Sequence, residues 1–302
     1  MTHANETIGF VGLGTMGRPM ARNLIKAGFP LVFFARRAEV ADEFAGLGAK
    51  RAATICEVAD AAGIVITIVT ADAQLKEVVW GPQGITEGAA GGKLLIDMST
   101  VSPATAREVA ERLAPLGMAF VDAPVSGGPW GAESATLAIM AGGSAEDLRR
   151  IRPVLDAMGK HIFHVGPVGA GQTVKLLNQM VAGGIMTLLG EAFVAAHAAG
   201  VDLEQLIDVM GQSSAASAVL AARGKKFILA GNYQPGFMCE LMRKDMGLAV
   251  ELAARLNVPS PTAAAALEQY VAAVVQGHGK EDFAAVAKAC AAAAGKKLDV
   301  QK

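Results

Sequence analysis

Between Thr7 and Ala141, short apolar runs rich in β-branched residues alternate with longer stretches of helical character. The runs lie at Thr7–Val11, Leu31–Phe34, Ile64–Val69, Lys93–Asp97, Ala119–Val121 and Leu137–Ala141. Helix-like stretches such as Met16–Ala27, Ala38–Leu47 and Pro103–Leu113 fall between several of them. Strand–helix–strand repetition builds βαβ units on a mainly parallel sheet. Such a sheet is covered on both faces, which accounts for the nearly unbroken apolar character of Ile64–Val69. The fold class that follows is α/β, with a doubly wound sheet in the N-terminal part.

The pattern changes after His161–Val165. Gly166, Pro167, Gly169 and Gly171 punctuate the chain, and β-rich runs then nearly vanish. Alanine-rich helical stretches follow at Thr173–Ala199, Leu203–Gly211, Ala215–Ala230, Leu241–Leu256, Thr262–Gln276 and Phe283–Ala294. We therefore expect a first domain over residues 1–166 and an all-α second domain over 167–302, opening with one long helix. The most apolar part of that helix, Leu176–Ala199, is interrupted by Asn178, Gln179, Glu191 and His197, so a buried helix is expected rather than a membrane span.

With 52% apolar and 18% charged residues in 302, the chain can bury a large core. Its 27 basic against 28 acidic residues leave no net field to attract a polyanion, which argues against nucleic-acid or membrane-surface binding. Any anion site must be local. Cys56, Cys239 and Cys290 are far apart and form no CxxC pair, so neither disulfides nor zinc ligation is indicated. With no apolar leader ahead of the Ile8 run, a cytoplasmic location is expected.

The local anion site is Gly12-Leu13-Gly14-Thr15-Met16-Gly17, placed between the first strand and the first helix. Gly12 permits a tight turn, Gly14 lets backbone approach a pyrophosphate, and Gly17 allows close packing of helix on strand. The helix N-terminus adds free N–H donors and a partial positive charge. The second strand ends at Phe34-Ala35-Arg36-Arg37. A carboxylate there would accept from the ribose hydroxyls of NAD; two guanidinium groups suit a 2′-phosphate instead. NADP is the expected cofactor, with NAD the alternative.

The run Gly12–Leu24 resembles the opening signature of the 3-hydroxyacid dehydrogenases. The resemblance extends, in family order, to Asp122-Ala123-Pro124-Val125-Ser126-Gly127-Gly128, to Gly169-Ala170-Gly171 with Lys175 and Asn178, and to Lys244-Asp245. It implies a Rossmann-type domain, a long interdomain helix, and an all-α domain that helps form a homodimer or homotetramer. It also implies reversible oxidation of a small 3-hydroxy acid, a carboxylate substrate, to a semialdehyde or ketone. Asn178-Gln179 and the run Gly277–Asp282 resemble the members that reduce tartronate semialdehyde. 3-Hydroxyisobutyrate, succinic semialdehyde, glyoxylate and an imine remain alternatives, as does a catalytically silent binding module. One departure is Ser134-Ala135-Thr136, where the family usually has glycine before the threonine.

Reduction of a carbonyl builds negative charge on its oxygen, which a nearby acid must meet. Lys175, at the start of an apolar helix, is the candidate, because desolvation and the helix N-terminus both disfavour its charged form. Asn178 and Gln179, three and four residues on, share its face and could orient it or bind substrate. The resemblance slightly favours Gln179. Ser126, Gly127 and Gly128 offer a hydroxyl and exposed backbone N–H groups to a substrate carboxylate. By resemblance, Thr100 lies near the nicotinamide ribose, Val69 and Thr70 on the adenosine side, and Lys244 against the cofactor. His161, His164 and His197 have no metal or triad spacing, and no metal is expected.

Overall fold

The computed structural model describes residues 6–296 and Leu298. Among these, nine strands form one sheet: β1 (Ile8–Val11), β2 (Leu31–Phe34), β3 (Lys50–Arg51), β4 (Ile64–Thr67), β5 (Leu94–Asp97), β6 (Ala119–Asp122), β7 (Val125–Ser126), β8 (Leu137–Gly142) and β9 (Gly159–Gly166). Their order is β3-β2-β1-β4-β5-β6-β8-β7, and β9 also pairs with β8. The first six are parallel, in the order of a doubly wound dinucleotide-binding sheet. Antiparallel pairing begins where β6 and β7 meet β8.

Successive strand residues feed two cores, one on each face. Ile64 and Ile66 join Phe10, Leu24 and Phe33, whereas Val65 joins Val58, Leu75 and Val109 on the other side. A strand buried on both faces has no polar side to show, hence its continuous apolar run. All six expected runs are strands: Leu31–Phe34 keeps its bounds, three are trimmed by one or two residues, and those ending at Val121 and Ala141 run one residue further. Unread in the sequence were β3, β7 and β9. Lys50 and Arg51 are both exposed, a charged pair that blunts a sheet edge. Lys160, His161, Phe163 and His164 are likewise exposed on β9, so no apolar period marks that strand.

The chain divides into two compact units, one ending at Lys175 and the other starting at Leu176. This division falls inside the 29-residue helix Ala170–Ala198, beyond the change in composition near Gly166. The reason is local: the opening turn of the helix is hydrogen-bonded to β6 through Asp122. This helix alone among the described residues has the length and hydropathy to cross a membrane. Its Gln172 is bonded into the sheet unit, and its Met186 and Phe193 lie in the core of the helical unit.

The second unit is helical throughout its described part. Leu203–Gly211, Ala218–Arg223, Cys239–Arg255, Pro261–Ala273 and Val286–Ala293 surround Phe227, Met242, Tyr270 and Val286. The stretch expected as one helix over Ala215–Ala230 starts later, because Ser217 accepts from the Leu220 N–H as an N-cap. It then widens into a π turn at Gly224–Leu229. A second π turn, Val274–His278, ends the helix expected to reach Gln276.

The departure at Ala135 has a conformational meaning. Ala135 sits at φ 55°, in the left-handed region, on the turn that Ser134 ties to Trp130 and Thr136. That conformation costs a residue with a β-carbon roughly 1–2 kcal/mol, part of which glycine would return as unfolded-state entropy. Ala135→Gly is expected to stabilise the protein by about 0.5 kcal/mol net, read as a raised thermal midpoint. An unchanged or lowered midpoint would show an unstrained turn.

Candidate active site

Parallel register places Phe34, Val11, Thr67, Asp97 and Asp122 in one row across the sheet. Every cofactor residue singled out in the sheet unit lies on a loop leaving this row. Arg36 and Arg37 follow Phe34, the glycine loop follows Val11, Val69 and Thr70 follow Thr67, and Thr100 follows Asp97. The sequence Ala123–Gly128 leaves from Asp122. Open α/β sheets bind ligands at this carboxyl edge.

The glycine loop divides into closed and open positions. A β-carbon on Gly12 would stand 2.1 Å from the Ile68 carbonyl oxygen, and one on Gly17 would stand 2.0 Å from that of Gly12. A β-carbon on Gly14 would meet nothing within 4 Å. The space before Gly14 is therefore open to an outside group, as a bound pyrophosphate requires. The helix Gly17–Lys26 has no side-chain cap and no acid in its first turn; the Arg18 N–H is taken by the Gly14 carbonyl and Pro19 has none, so the donors that face a ligand belong to the loop and to Gly17. Arg37 is exposed, and its guanidinium donates to the Leu13 carbonyl at 3.4 Å, which holds Arg37 beside the loop. Arg36 is also exposed.

Behind the loops lies a buried polar network that the sequence reading did not identify. Asp97 Oδ1 accepts from Thr67 Oγ1 at 2.8 Å and from Ser99 Oγ at 2.6 Å, while Ser99 Oγ accepts from the Val69 N–H. Asp97 Oδ2 is buried with no hydrogen-bond partner. Burial pushes the Asp97 carboxyl up to about 6 despite the Ser99 and Thr67 hydroxyls. Burial also raises Asp122 to about 7, against the Gly169 and Gln172 N–H groups, with the Asp97 charge adding to the rise. Gln172 closes the network: Oε1 accepts from the Val101 N–H at 3.1 Å, and Nε2 donates to the Ser99 carbonyl at 2.9 Å. One signal was available, since Asp97 and Asp122 each end an otherwise apolar strand.

Lys175 is 6% exposed and ends the sheet unit. Ser126 pairs with Ala138 in β7, and Gly127 and Gly128 follow at φ 135° and 62°. In the helical unit, Gln179 is buried and Asn178 exposed. Both ends of the Gln179 amide are engaged: Nε2 donates to Asp245 Oδ2 at 2.8 Å, and Oε1 accepts from Asn178 at 3.2 Å. Asp245 also pairs with Lys244 at 3.0 Å, so Lys244, Asp245, Gln179 and Asn178 form one chain of contacts. Asp245 had been noted only as a neighbour of Lys244. Among the described residues, no group of His, Cys, Asp or Glu could hold a metal ion.

Two outcomes follow from this geometry. Gly14→Ala should leave the apo thermal midpoint unchanged and weaken dinucleotide binding by about tenfold or more, whereas Gly17→Ala should destabilise the fold itself. Equal affinity for the dinucleotide in wild type and Gly14→Ala would refute the open position. The second outcome concerns pH. The folded value of Asp97 lies above its ordinary 3.8, so its contribution to stability is complete below that pH and is lost as pH rises through about 6. From this group apo stability should fall by up to about 1.4 kcal/mol per pH unit across that window. Asp97→Asn should remove this group's share of the slope and leave that of Asp122, which is raised to about 7, and thermal midpoints between about pH 4 and pH 7 measure the difference; parallel curves would contradict the raised value of Asp97.

A family model described as the NAD binding domain of 6-phosphogluconate dehydrogenase matches residues 7–166. One described as NAD-binding of NADP-dependent 3-hydroxyisobutyrate dehydrogenase matches residues 169–290. The chain is 39% identical to 2-(hydroxymethyl)glutarate dehydrogenase of Eubacterium barkeri, covering 93% of each chain. It is 35% identical to 2-hydroxy-3-oxopropionate reductase of Escherichia coli, over 96% of this chain and 99% of that one. The structure of Mycobacterium tuberculosis 3-hydroxyisobutyrate dehydrogenase with L-serine superposes with a TM-score of 0.86 at 34% identity, covering 93% of this chain and 98% of that one. Nearly full-length kinship with dehydrogenases and reductases of this kind means that the chain belongs to the 3-hydroxyacid dehydrogenase family, oxidoreductases that work with a nicotinamide dinucleotide.

Proposed function

We propose that this enzyme reduces tartronate semialdehyde to glycerate with NADPH, Lys175 supplying the proton. Several of the acids named for its relatives share one skeleton. 2-(Hydroxymethyl)glutarate, 3-hydroxyisobutyrate and L-serine each carry a hydroxymethyl group on the carbon that bears a carboxylate, and differ in the remaining substituent. 2-Hydroxy-3-oxopropionate is the aldehyde form of that skeleton, with a hydroxyl as the substituent. The choice of this aldehyde rests on Asn178-Gln179 and on the run Gly277–Asp282, which resemble the members that reduce it.

The observation that carries the reading is the burial of Lys175 beside an anchored helix start. When bound, the reduced nicotinamide supplies a hydride to the carbonyl carbon. Lys175 Nζ then gives a proton to the oxygen that gains charge, and in the reverse direction takes it from the hydroxyl. Ser126, Gly127 and Gly128 hold the carboxylate through a hydroxyl and backbone N–H groups. Asn178 and Gln179 orient the lysine or the substrate hydroxyl, with the Gln179 amide held by Asp245. Gly12, Leu13, Gly14, Thr15, Met16 and Gly17 would cradle the pyrophosphate, with Val69, Thr70, Thr100 and Lys244 as further cofactor contacts. Support for NADP comes from exposed Arg36 and Arg37 beside buried Ala35, where an NAD site would place a carboxylate.

Initial rates with NADPH and NADH across short semialdehydes test the whole reading. We expect the highest kcat/KM for NADPH with tartronate semialdehyde. Lys175→Ala should lower kcat by at least about a hundredfold with little change in cofactor affinity. A preference for NADH would overturn the arginine assignment, a better aldehyde the substrate, and retained turnover in Lys175→Ala the acid.

A further inference from the structure

We infer that Gln172 is a positioning residue for the reaction: its side chain grips the backbone on both sides of Thr100 while its main chain is fixed to Asp122, so that Thr100 and Lys175 keep a set spacing. The inference rests on the reading of Lys175 as the acid. Gln172 is fully buried. Its amide bonds to alternate residues of one segment, accepting from the Val101 N–H and donating to the Ser99 carbonyl, as a neighbouring strand would. Thr100 is the residue between them. One atom group thus holds the loop that resembles a nicotinamide contact.

The other end of the link is the helix. The Gln172 N–H donates to Asp122 Oδ2 at 2.8 Å, and the Gly169 N–H to Oδ1 at 2.7 Å, so both carboxylate oxygens are spent on one helix start. Between these donors, a β-carbon on Gly171 would stand 2.3 Å from the Met140 carbonyl oxygen and 2.7 Å from that of Asp122. The helix backbone therefore rests directly on the ends of β6 and β8. Lys175 follows Gln172 by three residues, one turn along the same helix and on the same side. With the helix start pinned to β6 and the loop after β5 pinned to the helix, the lysine and Thr100 cannot shift separately. No atom of Gln172 needs to touch substrate for this.

Glutamine is the side chain that the arrangement demands. Glutamate keeps the acceptor but turns a second oxygen towards the Ser99 carbonyl. Methionine keeps the volume and loses both hydrogen bonds, and asparagine is one methylene too short.

The experiment uses the full chain with Gln172→Met and Gln172→Glu, each alone and in a Lys175→Ala background. NADPH affinity by fluorescence titration reports a folded site, and turnover is measured at saturating cofactor and aldehyde, in single turnovers where it is slow. We expect cofactor affinity within about twofold of wild type and kcat lowered between about tenfold and a hundredfold. In the Lys175→Ala background the same substitutions should cost no further rate, because what they disturb is the spacing of the Thr100 loop from the lysine. Wild-type kcat in both variants, or an equal loss with and without the lysine, overturns the inference. So does loss of NADPH binding in both, which would assign Gln172 to folding alone. Retained turnover in Lys175→Ala by itself is a separate result, which removes the acid and with it this role.

Discussion

The carboxylate of Asp122 and the first N–H groups of the helix Ala170–Ala198 each solve a problem that the other has. A buried carboxylate is costly unless hydrogen-bonded, and the opening N–H groups of a helix have no partner within it. Placed together, with the positive end of the helix dipole facing the negative group, they satisfy both. The compensation is incomplete, as burial still raises the acid to about 7. What the pair secures is position: the turn that leads to Lys175 is registered on β6, and through it on the row of strand ends where the ligand loops begin.

That row also explains how one sheet edge can be both tightly packed and open. Five helices begin with a side-chain cap: Thr54, Ser102, Ser144, Asp202 and Ser217 each accept from an N–H of the turn they start. The helix after the glycine loop starts at Met16 without one. Gly12 and Gly17 are consumed by backbone contacts, while Gly14 faces open space. The glycines are thus not equivalent, although the motif writes them alike. Two are demanded by the protein's own packing, and the middle one is free to serve a ligand.

Much of this was legible in the residues. The unbroken apolar runs of Ile8–Val11 and Ile64–Thr67 suit two-sided strands, and the glycine spacing marked the turn between β1 and its helix. What escaped has physical reasons. Lys50-Arg51 is a two-residue edge strand built from exposed charge, and β9 shows no apolar period because most of its side chains face outwards. Asp97, Ser99, Asp122 and Gln172 read singly as polar boundary residues, since Ser99 and Gln172 are bonded across 73 positions. Only the fold brings such partners together. At Ala135 the difference from the family pattern was visible, but its consequence, a left-handed β-carbon, needed the backbone.

The acids handled across the family sharpen what has to be built and what can vary. A carboxylate and a hydroxymethyl carbon or its aldehyde are common to these four acids, so the groups proposed to meet them, Lys175 and the Ser126–Gly128 loop, would face a constant demand. The third substituent is a methyl, a carboxyethyl, an ammonium or a hydroxyl. Distinguishing methyl from hydroxyl in an apolar pocket is worth only about 1–3 kcal/mol, whereas a site built to bond a polar substituent rejects the analogue that lacks it far more strongly. A preference for tartronate semialdehyde would therefore come from polar side chains that meet the substrate hydroxyl, and Asn178, exposed three residues beyond Lys175, is the proposed one. Exchanging a few such contacts would change the acid without touching the anchor at Asp122, a division of labour that suits relatives at 35–39% identity named for different substrates.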